Sequence, residues 1–294
     1  MSTVITGASG HLARRVVELL LDEHGIAPSD LILVTRSPDR LSDVAGRGAE
    51  VRHRDFDDPQ SLPAAFAGGE RMLLISADQI GQRIRQHSGA VKAAKAAGIT
   101  HIAYTSFLNT DVDYNPAAIA PEHSATEEAI RAAGLTSTFL RNSIYAELQA
   151  GEAAAALATG RLVTNAGEGR TAYVSRDDCA AVAAAVLADP SAHGNATYDV
   201  TGPYLLDARA LAELYAEIGG KPVELLPVDD ATFTQGLVEH AGMPQPLAEI
   251  YATFGAAIRA GLLDVRTDVV ERLTGRPPRS LRDVLEQQTA AIAA

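Results

Sequence analysis

Gly7, Gly10 and Ala13 stand at three-residue spacing directly after the β-branched run Val4-Ile5-Thr6, an arrangement suited to holding an anion. A glycine at position 7 can take a sharp strand-to-helix turn, and a glycine at position 10 puts no Cβ between the main chain and a phosphate. A small residue at 13 lets the following helix, predicted over Leu12–Leu21, lie close on the strand. That helix presents its unpaired N–H groups and positive dipole end to whatever lies over the turn, usually a pyrophosphate. The spacing is Gly-x-x-Gly-x-x-Ala, not Gly-x-Gly-x-x-Gly. Either pattern also occurs in structural turns, so its place behind the first strand carries the weight.

In a doubly wound sheet a ligand lies beyond the carboxyl ends of the strands. Here those ends are Thr6–Gly7, Arg36, Asp55–Phe56, Ser76–Ala77, Thr105–Ser106 and Arg141–Asn142. An NAD-selective site places a carboxylate after the second strand for the ribose hydroxyls. This chain has Arg36 there, which can pair with a 2′-phosphate and stack on adenine. NADP(H) is the expected cofactor, with NAD(H) less favoured. His53, Asp55, Asp57 and Asp58 resemble a metal cluster, but strand alternation separates them and the turn needs caps. No metal site is expected, and Asp55 and Phe56 are placed near the adenine.

A protein-supplied proton is harder to assign. None of the eight tyrosines has a lysine four residues on, so the Tyr-x-x-x-Lys pair of most short-chain dehydrogenases is missing. In the helix where it would fall, the chain reads Glu122-His123-Ser124-Ala125-Thr126-Glu127. His123 and Glu127 lie one turn apart on one face, as a general acid with an orienting carboxylate would. A capped, solvated helix start has the same spacing, and both readings stay open.

These residues need a frame of alternating elements. The apolar runs Leu31–Thr35, Met72–Ser76 and His101–Ser106 read as strands buried on both faces, with Val51–Arg54, Thr138–Arg141 and Thr197–Val200 as further strands. Helices are predicted over Gly81–Ala97 (closing at Gly98), Gly151–Thr159, Arg176–Ala188, Asp207–Ile218, Asp230–His240, Pro246–Ala260 and Leu281–Ile292. Ser37, followed by Pro38, is a candidate helix cap, and Asn165–Gly169 is turn-rich. Strands alternating with helices imply parallel pairing through right-handed crossovers.

Composition narrows the class. With 47% apolar residues in 294, the chain can bury one full domain and a smaller lobe. It carries 25 basic against 37 acidic residues, a net charge of −12, which argues against nucleic acid or an anionic membrane as partner. The single cysteine, Cys179, excludes an intrachain disulfide and lies among alanines as a buried small residue would. The first strand begins almost at Met1 and no apolar run reaches bilayer length, so a cytoplasmic protein is expected.

With these residues in hand, the sequence resembles the NmrA-like atypical short-chain dehydrogenases, most of all bacterial quinone oxidoreductases of the second type and triphenylmethane dye reductases. The matching segments include Ile5-Thr-Gly-Ala-Ser-Gly10, Val34-Thr-Arg-Ser-Pro38, Val51-Arg-His-Arg-Asp-Phe56, Lys92-Ala-Ala-Lys-Ala-Ala-Gly98, His101-Ile-Ala-Tyr-Thr-Ser106 and Phe139-Leu-Arg-Asn142. The resemblance implies an α/β fold: a Rossmann-type doubly wound parallel sheet with a smaller, mostly helical C-terminal substrate lobe. Residues 1–152 would form the NAD(P)-binding domain, and 153–294 a mixed segment completing the sheet and forming the substrate lobe. It implies that Gly7, Ser9, Gly10, His11 and Leu12 hold the pyrophosphate and Arg36 the 2′-phosphate. Ser76, Ala77, Thr105 and Ser106 would flank the nicotinamide side, while Asn142 and Tyr145 face the pocket. With His123, those two are the catalytic candidates. Ser9 stands where relatives usually have Thr, Ala13 where many have Gly, and the loop Phe107–Ala120, which should set substrate choice, matches poorly. The implied activity is NADPH-dependent hydride transfer to a small electron-poor acceptor such as a quinone or dye, in a homodimer if the chain assembles. The alternatives are a redox-sensing regulator that binds NADP without turnover, and an isomerase or lyase of a biosynthetic pathway.

Overall fold

The first strands are buried because both faces of the central sheet are covered. In the computed structural model, which describes residues 2–288, β1 (Thr3–Thr6) leads into α1 (His11–Asp22), and β2 (Leu31–Thr35) leads through α2 (Ser42–Gly46) to β3 (Glu50–His53). There follow α3 (Leu62–Phe66), β4 (Arg71–Leu74), α4 (Arg83–Ala96), β5 (His101–Phe107), α5 (Ala120–Ala132) and β6 (Thr136–Asn142). The second half holds α6 (Gln149–Thr159), β7 (Arg161–Thr164), α7 (Arg176–Ala188), β8 (Ala196–Val200), α8 (Ala208–Gly219) and β9 (Glu224–Pro227). The described part closes with α9 (Asp230–Ala241), α10 (Gln245–Arg259), α11 (Val269–Thr274) and α12 (Leu281–Gln287).

Seven strands form one parallel sheet in the order β3-β2-β1-β4-β5-β6-β8. This is the expected doubly wound α/β architecture. The chain steps outward from β1 to β3 and then returns to β4 on the other side of β1. The loops after β1 and β4 therefore diverge, opening a crevice at the carboxyl ends. One face is covered by α1, α7 and α11 over a core that includes Leu12, Val16, Val182 and Val270. The other is covered by α3, α4 and α5 through Phe66, Val91, Tyr104 and Ile130. The second half of the chain thus supplies α7 and β8 to the main sheet.

Three features depart from the sequence reading. A separate two-stranded parallel sheet pairs β7 with β9, neither of them anticipated. Helices α3 and α11 are likewise additional. Ser37 makes no capping bond: its N–H goes to Thr35 Oγ1 at 3.1 Å, and Pro38–Leu41 is only a 3-10 turn. The predicted terminal helix appears as α12, entered through a capping box of Ser280 and Asp283. Its predicted end at Ile292 lies outside the described residues. Among the described residues no helix is long and apolar enough to cross a membrane.

Candidate functional site

The glycine turn has the geometry its residue types require. Gly7 takes φ +61°, a left-handed conformation, and its carbonyl accepts the Gly10 N–H at 2.9 Å. Gly10 is the N-cap of α1 and provides no side-chain cap, and the first turn contains no acid. The leading N–H groups of α1 are thus left open toward the crevice, the condition for holding an anion. A Cβ built on Gly10 would stand 3.2 Å from Gly7 O, so the turn is tight even before a phosphate arrives. Ser9 Oγ meets Thr35 Oγ1 at 2.7 Å, tying the turn to the end of β2. His11 is exposed, whereas the Leu12 side chain is in the core and offers only its N–H.

Arg36 projects from the end of β2 and is half exposed. Its guanidinium pairs with Asp78 of the β4–α4 loop at 3.1 Å. Asp55 Oδ1 accepts the Asp57 N–H at 3.1 Å, a turn-forming bond, and Phe56 lies edge-on to His87 with ring centroids 6.3 Å apart. At the central strand ends, Ile75 N–H donates to Thr6 Oγ1 at 3.0 Å and Ser76 N–H to Thr105 Oγ1 at 2.9 Å. Ser106 does not join them. Its side chain lies on the α5 side of the sheet, where the hydroxyl donates to Glu127 Oε1 at 2.7 Å.

The β4–α4 loop is fastened from beneath by side chains the sequence did not single out. Ala77 N–H donates to His87 Nε2 at 3.0 Å, Arg83 Nε donates to Ala77 O at 2.6 Å, and Gly81 N–H donates to Glu122 Oε1 at 2.9 Å. Because Nε2 accepts, the His87 proton sits on Nδ1, 2.9 Å from Thr126 Oγ1, whose hydroxyl donates to Glu122 O at 2.8 Å. Burial first, and the Arg83 charge second, pull the His87 pKa down to about 3, which keeps the ring neutral. The i,i+4 pairs Arg83/His87 and Glu122/Thr126 were the available sequence signal, since each puts two polar groups on one helix face.

His123 and Glu127 do not form the acid–carboxylate pair that their spacing allowed, nor are they a solvated helix start. Both are buried. Both face the sheet, but each meets a different partner there. His123 Nδ1 lies 2.7 Å from Tyr104 Oη, Nε2 is 3.5 Å from the Arg83 guanidinium, and the ring stacks on Phe107. Burial, with Arg83 next, holds its pKa well below the ordinary histidine value. Glu127 instead receives Arg141 through two bonds of 2.9 and 2.8 Å, with Ser106, Thr110 and Arg131 as further donors. Asn142 and Tyr145 do meet: Asn142 Nδ2 donates to Tyr145 Oη at 3.2 Å, while Asn142 Oδ1 is buried with no protein partner. Burial pushes the Tyr145 hydroxyl well above its ordinary range, and the Arg176 guanidinium lies over its ring at 5.0 Å.

The loop after β5 is pinned to the helical lobe by Asn109 Nδ2 donating to Leu262 O at 2.7 Å and Ala118 N–H to Thr253 Oγ1 at 3.0 Å. Between this loop and helices α9 and α10 lies a cleft of about 830 Å³, lined by Tyr114, Pro116, Asp230, Val238, Glu249 and others. A pocket of about 190 Å³ lies at the end of β3, beside His53, Arg54, Asp55, Asp58 and Ser61.

A doubly wound sheet with an uncapped, acid-free helix end at its switch point defines a dinucleotide-binding protein. A family model described as NAD(P)H-binding matches residues 7–190, and the chain belongs to that family, as an NmrA-like oxidoreductase. Quinone oxidoreductase 2 of Escherichia coli is 35% identical over 282 residues, 95% of this chain and 96% of that protein. An NAD(P)H azoreductase of Xenophilus azovorans is 26% identical over 99% of both chains. Among solved structures, the NADPH-dependent quinone oxidoreductase of Escherichia coli complexed with NADPH aligns with a TM-score of 0.92 at 33% identity, covering 98% of this chain and 99% of that one. The triphenylmethane reductase of Citrobacter sp. complexed with NADP(H) aligns with a TM-score of 0.89 at 36% identity, covering 97% and 99%.

Proposed function

We propose that the chain is an NADPH-dependent reductase whose acceptor is a quinone or a similarly electron-poor conjugated molecule. The observation that carries this reading is the open end of α1 with Arg36 on the neighbouring strand end: one suits a pyrophosphate, the other a 2′-phosphate. The site fits the cofactor, since Gly10 leaves a space that a Cβ would fill. The bound nicotinamide supplies the hydride.

The chain's own residues bind and orient. The N–H groups after Gly10 would hold the pyrophosphate, and Asp55 and Phe56 would border the adenine. Ser76, Ala77 and Thr105 form a fixed wall on the nicotinamide side, because the loop they adjoin is fastened by His87, Arg83 and Glu122. Tyr145 keeps its proton, with its oxygen held by Asn142, and is free to donate a hydrogen bond to an acceptor oxygen. His123 is neutral and engaged through Nδ1, so it shapes the wall behind Phe107 and delivers no proton. A reduced quinone oxygen takes its proton from water.

The test is NADPH oxidation, followed by the cofactor's near-ultraviolet absorbance, against a panel of quinones and cationic dyes with cofactor alone as control. Turnover with the quinones supports the reading. Tight NADPH binding with no turnover on any member overturns it in favour of a redox sensor.

A further inference from the structure

The Arg36–Asp78 pair spans the crevice where the cofactor's adenosine half belongs. Arg36 ends β2, Asp78 follows β4, and β1 lies between those strands, so the pair arches over the carboxyl end of β1 beside the glycine turn. The guanidinium lies 3.1 and 3.4 Å from the two Asp78 oxygens, and among the described residues Arg36 is the only cation at ion-pair distance from Asp78. The other nearby carboxylate, Asp57, already has Arg85 and Gln86 as partners. Asp78 cannot drift off with its loop. The preceding residue, Ala77, is held through both its N–H and its carbonyl, and Gly81 is held three residues on.

We propose that Asp78 sets cofactor selectivity by competing with the 2′-phosphate of NADPH for Arg36. The inference rests on the NADPH reading above. A 2′-phosphate must take the guanidinium from a carboxylate whose backbone is fixed, and it then sits beside that negative charge. NADH brings a 2′-hydroxyl instead, a donor that an aspartate can accept. Asp78 therefore weakens NADPH and spares or supports NADH, restraining the preference that Arg36 alone would create. An exposed pair is worth at most about 1 kcal/mol, so the effect reaches about fivefold and is not a block.

The experiment is cofactor binding to the full chain, without acceptor, read from the fluorescence of NADPH and of NADH. Asp78→Asn is expected to tighten NADPH by about two- to fivefold and to leave NADH unchanged or weaker, with the gain shrinking as salt is raised. Asp78→Ser, at the same exposed position, should behave alike, and circular dichroism confirms that both fold. In an Arg36→Ala background the gain should largely vanish. An unchanged or lower NADPH-to-NADH preference in both Asp78 variants overturns the proposal. Arg36→Ala separates the two ideas: loss of NADPH preference there with no effect at Asp78 defeats only the competition. No selective loss in Arg36→Ala defeats the 2′-phosphate assignment itself.

Discussion

Glu127→Gln probes the most heavily shared side chain behind the site. The carboxylate is 1% exposed and receives five bonds, two from Arg141, and one each from Ser106, Thr110 and Arg131. An amide in its place removes the charge and points an N–H₂ group at donors. Breaking a buried ion pair from one side typically costs about 3–5 kcal/mol. Here Arg141 keeps Asp111 at 2.9 Å, so the lower end, about 3 kcal/mol, is expected. At roughly 2–3 °C per kcal/mol for a chain this long, the melting temperature should fall by about 6–9 °C. Thr110 and Asp111 lie in the loop after β5, so the acceptor KM should rise as the loop loses its anchor. Calorimetry with steady-state kinetics checks both effects. Glu127→Gln/Arg141→Met, which removes both charges, should recover part of the lost stability, because the buried cation is no longer left over. A melting shift below about 2 °C would refute the structural assignment. So would a loss of more than about 100-fold in turnover at saturating acceptor with stability intact, which would restore Glu127 as the orienting partner of a catalytic acid.

Gly10→Val should abolish NADPH binding in a fluorescence titration while costing only about 1–3 kcal/mol of stability, since φ −76° suits any residue. Normal binding would make the turn structural. Tyr145→Phe should raise the acceptor KM while turnover falls less than about tenfold, against the 10²–10⁴ expected for an obligatory acid. Single-turnover hydride transfer across pH is the deciding measurement. Glu152, beside Tyr173 and Tyr215, has its pKa raised by burial from 4.5 to about 7. Between those values the folded chain holds a proton that the unfolded chain has lost, so stability falls as pH rises through that window. Glu152→Gln should remove this dependence and stabilise the protein above pH 7. At about 1.4 kcal/mol per pKa unit, discounted for partial exposure, the gain is about 1–3 kcal/mol. Parallel melts at pH 5 and 8 that keep their spacing in the variant would count against it.

The central strands β1, β2, β4 and β5 were legible because they are buried on both faces, which leaves unbroken apolar runs such as Leu31–Thr35, recovered to the residue. Strands β7 and β9 were not, because Arg161, Val163, Glu224 and Leu226 are exposed and each strand gains its definition only from the other. In the site, the glycine turn was readable because backbone angles and close approach are local demands on residue type. The polar contacts were not. Helical spacing shows that His123 and Glu127 share a face, but not that β5 sets Tyr104 opposite one and β6 sets Arg141 opposite the other. Nor could the sequence disclose Asp78, 42 residues from Arg36, because that contact depends on β1 lying between their strands.

The electrostatics of the interior constrain the chemistry further. Burial drives His87 and His123 toward the uncharged imidazole and Tyr104 and Tyr145 toward the protonated phenol. Around the strand ends these groups donate and accept hydrogen bonds, but none is poised to exchange a proton near neutral pH. The two buried carboxylates of α5 are both engaged, Glu122 by the Gly81 N–H and Arg83, and Glu127 by Arg141. Among these four groups, an acceptor whose reduced form needs a proton in the same step as the hydride would find no matched donor. One whose reduced oxygen persists as an anion until water reaches it would need only orientation and a hydrogen bond, both of which Tyr145 and Asn142 can provide. On the proposed reading, neutral histidines and protonated phenols suit a quinone better than a simple carbonyl, which must gain a proton with the hydride.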